Sequence, residues 1–142
     1  MIVSDANLLL YAYDQGAPQH KKALLWFQQA LMGQELVGLP WSSVAAFLRV
    51  ITNPKLPGDR FTAEEAAGIV EEWMGQPNVR FLAPGERHWA ALRAMMIDGQ
   101  ARGPLVSDAH LAALTIEHGG VLHTADRDFA RFPGLRWTNP LR

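Results

Sequence analysis

The stretch His118-Gly119-Gly120-Val121-Leu122-His123-Thr124-Ala125-Asp126-Arg127-Asp128 decides the fold. Two glycines end a helical pattern, Val121–His123 reads as a short strand, and Asp126 and Asp128 follow it directly. The amino terminus repeats this logic. Ile2-Val3 is a short apolar strand that stops at Ser4-Asp5. Leu36–Leu39 and Val79–Leu82 read as two further strands, and Arg136-Trp137 as a short edge strand.

Helical patterns fill the intervals. Pro18 to Met32 puts Leu24, Phe27 and Leu31 on one face, and Gly33 stops it. Pro40 opens a helix in which Val44, Phe47, Leu48 and Ile51 follow the i, i+3, i+4, i+7 rule, and Asn53-Pro54 closes it. Thr62 and Glu65 have capping-box spacing ahead of an Ala66, Ile69, Val70, Trp73 stripe. Glu86 to Asp98 is expected to turn Trp89, Leu92 and Met96 inward, and Ser107 to cap a helix running to about His118. Short apolar strands separated by helices predict a parallel sheet covered on both faces, an α/β/α sandwich.

Composition narrows the function. The 142 residues suit one domain spanning 1–142, and 49% apolar with 19% charged residues suits a folded core. Thirteen basic residues against fourteen acidic ones give a net charge of -1, so nucleic-acid binding has to rely on a local patch. The absence of cysteine removes disulfides, thiolate nucleophiles and thiolate zinc sites. Asp5 arrives too early for a signal peptide and no apolar run is long enough to span a bilayer, so a cytoplasmic protein without a membrane partner is expected.

In an open α/β sheet, ligands gather beyond the carboxyl ends of the strands, where strand order reverses. Asp5 follows the first strand, Asp126 and Asp128 follow the fourth, and Asp108 opens the helix leading into the fourth. If those two strands are neighbours, all four carboxylates share one crevice. Such a cluster raises its own pKa values unless a cation neutralises it. Hard oxygen donors without Cys or paired His suit Mg²⁺, with Mn²⁺ as a substitute, and a phosphodiester hydrolysis with water as nucleophile. Taken singly, Asp108 also suits a helix N-terminus, and Asp126-Arg127-Asp128 a solvated turn. Their combination at strand ends favours chemistry.

No HExxH, GxSxG, Walker A or GxGxxG pattern occurs. Arg127 between two acids and Arg102 ahead of Asp108 are the candidate RNA-binding cations. The five Trp residues suit core packing, or an apolar patch for a sister subunit or partner helix.

Met-Ile-Val-Ser-Asp-Ala-Asn (1–7), Ser-Asp-Ala-His-Leu-Ala-Ala-Leu (107–114) and Thr-Ala-Asp-Arg-Asp-Phe (124–129) resemble the acidic motifs of PIN-domain nucleases. Leu39-Pro40-Trp41, Phe47-Leu48-Arg49, Thr52-Asn53-Pro54 and the run Arg131 to Trp137 look more narrowly like VapC-type toxins. The resemblance implies a PIN-like fold and a Mg²⁺-dependent endoribonuclease acting on structured RNA such as tRNA or rRNA. It also implies a homodimer, held inactive by a small antitoxin. By that pattern Asp5, Asp108 and Asp126 are metal ligands, Asp128 a further ligand or one acting through water, and Asn7 and Thr124 groups that orient carboxylates or water. Most PIN nucleases carry a Glu where this chain has Ala46, and no Asp or Glu lies between Leu36 and Gly58. This departure leaves open one metal or two, and an alternative in which the fold only binds RNA or protein.

Overall fold

The computed structural model describes residues 1–58 and 60–142. Five strands form one sheet: β1 (Ile2–Ser4), β2 (Val37–Pro40), β3 (Val79–Leu82), β4 (Val121–His123) and β5 (Trp137–Thr138). Their order is β3-β2-β1-β4-β5, and every neighbouring pair is parallel. The expected adjacency of the first and fourth strands is therefore present, and strand order reverses between them.

Helices α1 (Ala6–Tyr13), α2 (His20–Met32), α3 (Trp41–Ile51) and α4 (Ala63–Met74) contribute to one core cluster. Within it Phe47 meets the Trp73 ring at 5.0 Å, and Phe27 meets the same ring edge-on at 5.8 Å. Such pairs add about 0.5–1.5 kcal/mol each beyond their buried area. Helices α5 (His88–Asp98) and α6 (Leu105–Glu117) pack against each other in a second cluster with Val3, Leu82, Leu122, Phe129 and Phe132. This is the three-layer α/β/α architecture expected from the sequence.

Local chemistry explains the boundaries. The Thr62 hydroxyl accepts from the Glu65 N–H, while the Glu65 carboxylate accepts from the Thr62 N–H, completing the expected capping box of α4. Gly120 is where β4 comes against β1: a Cβ there would lie 2.5 Å from Val3 Cγ2. Helix α2 begins at His20 rather than Pro18, and β2 at Val37, leaving Leu36 on the surface.

Two expectations need correction, and one helix has no expectation behind it. Helix α1 has no counterpart in the sequence reading, because Leu8-Leu9-Leu10-Tyr11 is a continuous apolar run without helical period. Helix α6 starts at Leu105 behind Pro104, so Ser107 lies within its first turn and is not the cap. Helix α5 buries His88 and Met95 and leaves Trp89 64% exposed. The imidazole of His88 is held inward by Glu117 at 3.3 Å and His110 at 3.0 Å, which turns Trp89 out to solvent.

Candidate active site

The reversal of strand order brings two chain ends together. The Asp5 N–H donates to the His123 carbonyl at 3.0 Å, so the first residue beyond β1 is tied to the last residue of β4. One step on, the Thr124 hydroxyl donates to Asp5 Oδ2 at 2.7 Å and accepts from the Asp126 N–H at 3.0 Å. The other oxygen of Asp5 accepts from the Ala6 N–H at 2.7 Å, which makes Asp5 the N-cap of α1 as well. Asp126 caps the short 3-10 helix Arg127–Arg131 by accepting from the Asp128 N–H at 2.8 Å.

Asp108 stands in the first turn of α6, where the positive end of the helix dipole favours an anion. Burial nevertheless pushes its carboxyl up to about 6, and repulsion from Asp126, Asp5 and Asp128 adds to the rise. Burial also raises Asp5, against hydrogen bonds from Thr124 and Ala6, with Asp126 adding repulsion. The three other predicted carboxylates thus all act on Asp108, and Asp126 acts on Asp5 as well. The helix-terminus reading of Asp108 and its place in the cluster hold together, and Asp5 and Asp126 cap helices as well.

The cation whose field reaches Asp108 is Arg131, which donates to the Gly99 carbonyl at 3.1 Å. Arg127 and Arg102, the cations favoured from sequence, are both exposed. Neither has an ion-pair partner among the described residues. Asn7 lies two residues past Asp5, and its buried Oδ1 has no hydrogen-bond partner among the described residues. A buried oxygen left unpaired this close in the chain to Asp5 suits a bound cation or its water. No three His, Asp or Glu side chains among the described residues close tightly enough to hold a bare ion. The donor set therefore fits a hydrated hard cation better than a stripped one.

The model of the PIN domain matches residues 2–135. The chain belongs to the PIN-domain family. Ribonuclease VapC33 of Mycobacterium tuberculosis is 39% identical over 142 residues, covering 100% of this chain and 99% of that protein. Ribonuclease VapC37 of the same organism is 38% identical, covering 99% and 97%. The structure of VapBC-1 from nontypeable Haemophilus influenzae shares the fold at TM-score 0.71 with 18% identity, covering 100% of both chains. The PIN domain here is thus one of the VapC ribonuclease group, enzymes that depend in general on a metal ion.

Two features of this PIN domain escaped the sequence reading. Trp26 turns toward the sheet, donating from Nε1 to His123 Nδ1 at 3.1 Å with the two rings stacked at 5.7 Å. Its position off the apolar stripe of α2 gave no sign of a polar partner ninety-seven residues away. Arg131 is one of the arginines near the acids that the sequence offers for RNA contact, and what the sequence does not show is its tie to Gly99 and its field on Asp108.

Proposed function

We propose that the chain acts as one unit that hydrolyses phosphodiester bonds of structured RNA, tRNA or rRNA, in the cytoplasm. Asp5, Asp108 and Asp126 hold a divalent ion, Mg²⁺ or in its place Mn²⁺, with Asp128 acting directly or through water. The ion supplies charge neutralisation at the phosphate and a water of lowered pKa. Thr124 fixes the orientation of Asp5, and Asn7 offers its unpaired carbonyl oxygen to the ion's water shell. Arg127 and Arg102 contribute weak contacts to phosphates at the rim. A homodimer restrained by a small antitoxin completes the reading, on the strength of kinship with VapC ribonucleases. An antitoxin Arg or Lys entering the acid crevice would compete with metal and RNA.

The observation that carries this proposal is the convergence of Asp126, Asp5 and Asp128 on Asp108, whose carboxyl is pushed up to about 6 by burial and by their repulsion. A site so arranged is unfavourable without a cation. The test is cleavage of total tRNA and rRNA in Mg²⁺ by antitoxin-free protein, with Asp108→Asn alongside. Discrete fragments ending in 5′-phosphate from the wild type, none from the variant, and loss of cleavage in EDTA are expected. Mg²⁺-dependent cutting retained by Asp108→Asn would sink the assignment.

Ala46 favours a second reading, in which the missing carboxylate leaves a module that binds RNA or protein without turnover. It predicts binding with no fragments in Mg²⁺ or Mn²⁺ from folded protein.

A further inference from the structure

An aromatic pair stands at the carboxyl end of β2, the strand next to β1, and takes no part in the chemistry above. Trp41 opens α3 directly beyond β2 and is 46% exposed. Its ring centroid lies 4.8 Å from that of Phe81 on β3, with the planes tilted by 30°. The register of β1 and β2 sets Val3 beside Gly38. Carried two residues forward, it sets Pro40 level with Asp5, with Trp41 next in the chain. The backbone of Trp41 therefore stands at the same edge of the sheet as Asp5, one strand over, with its indole turned toward β3. Phe81 backs it from the neighbouring strand, and Pro40, with φ -60°, fixes the chain just ahead of it.

We propose that Trp41, backed by Phe81, is a stacking platform for an unpaired base of the RNA whose phosphodiester enters the acid crevice. The inference rests on the RNA-cleaving reading and deepens it. A net charge of -1 and a crevice of carboxylates offer phosphates little long-range attraction. Stacking needs no charge, and single-stranded loops present bases splayed out for aromatic side chains. The aromatic backing decides in favour of Trp41 over the more exposed Trp89, which has no aromatic neighbour among the described residues.

The test compares two labelled strands of equal length and charge: a short single-stranded RNA of mixed sequence and its abasic counterpart. Binding is followed by fluorescence anisotropy in Ca²⁺, cleavage of the base-bearing strand in Mg²⁺, and subunit mass by light scattering. Wild type should bind the base-bearing strand about tenfold or more tightly than the abasic one. Trp41→Ala should erase that difference and raise KM by a similar factor, while kcat stays within about threefold on the same scale. Trp41→Phe should retain part of it, and thermal melting should show both variants folded.

Equal losses on both strands, or none, would overturn the platform, as would a change in subunit mass, which would assign Trp41 to an interface between copies. Wild-type cleavage undiminished in Trp41→Ala would remove the platform and leave the hydrolysis standing. Base-dependent binding through Trp41 without cleavage in Mg²⁺ or Mn²⁺ would do the reverse.

Discussion

The hydroxyl of Thr124 donates to Asp5 at 2.7 Å across the point where strand order reverses. The same oxygen accepts from the Asp126 N–H at 3.0 Å, so one fully buried side chain orients one candidate ligand directly and the backbone of another. Nothing else among the described side chains bonds to both.

Replacing Thr124 by Val keeps the shape and removes both bonds. The Asp5 carboxylate loses its side-chain donor and the Asp126 N–H its acceptor. An unmade buried hydrogen bond costs about 1–3 kcal/mol, and loss of a group that orients a ligand lowers metal affinity about 10–100-fold. Urea unfolding and Mn²⁺ titration calorimetry should show both losses in Thr124→Val, with Thr124→Ser close to wild type. Unchanged Mn²⁺ affinity in Thr124→Val would separate Thr124 from the metal site.

The raised carboxyl of Asp108 makes stability depend on pH. It binds its proton at about 6 in the folded chain, against 3.8 ordinarily. Between those values the folded state holds more protons than the unfolded, so the metal-free protein loses stability as pH rises through this window. Because Asp108 is partly exposed, solvent screens the effect, and we expect a modest slope. Chemical unfolding in EDTA at a series of pH values should show that slope in wild type and a weaker one in Asp108→Asn. Mn²⁺ competes with the same proton, so its affinity should fall as pH drops below about 6. A wild-type slope matched by Asp108→Asn would assign the dependence to other groups.

How much of this was legible beforehand follows from where the information sits. The parallel sheet and the clustering of Asp5, Asp108, Asp126 and Asp128 could be read because strand ends and acids are local features. Pairing of β1 with β4 joins them, and that pairing is a contact between distant parts of the chain, set by the fold and not by any local feature. Helix α1 is illegible by periodicity because its buried residues, Leu8, Leu9 and Ala12, are masked by the equally apolar Leu10 and Tyr11 between them. Its one signal, Asp5 as an N-cap, had already been assigned to chemistry. The phase of α5 misled because a buried polar residue, His88, holds a place the apolar rule gives to Trp89. Long-range polar contacts of this kind leave no periodic trace.

Gly120 has a packing role that also bears on the site. A methyl group there would lie 2.5 Å from Val3 Cγ2 and 3.2 Å from the Met1 carbonyl oxygen. Both belong to β1 or its approach, so Gly120→Ala must push β4 away from β1 or distort Val3. Overpacking of this type costs about 1–3 kcal/mol. Urea unfolding should show a loss in that range. Mn²⁺ affinity should fall with it, because Asp5 and Thr124 directly follow the two strands being separated. A variant as stable as wild type would mean that β4 can slide without cost.

Ala46 is the residue whose replacement says most about the metal. It lies half-buried in α3, the helix that starts one residue beyond the level of Asp5, and resemblance to other PIN nucleases puts a Glu there. Ala46→Glu adds a carboxylate to a crevice whose acids already repel one another, so the metal-free protein should become less stable at neutral pH and recover on acidification. With ion present the sign reverses. The added oxygens should tighten Mn²⁺, and a second equivalent should appear in calorimetry if one fewer carboxylate is what restricts the native site to a single ion. Tighter binding at unchanged stoichiometry would mean that the native acids already hold every ion the crevice admits. Unchanged affinity together with undiminished metal-free stability would mean that residue 46 does not face the acids, and metal number would then be set by Asp5, Asp108, Asp126 and Asp128 alone.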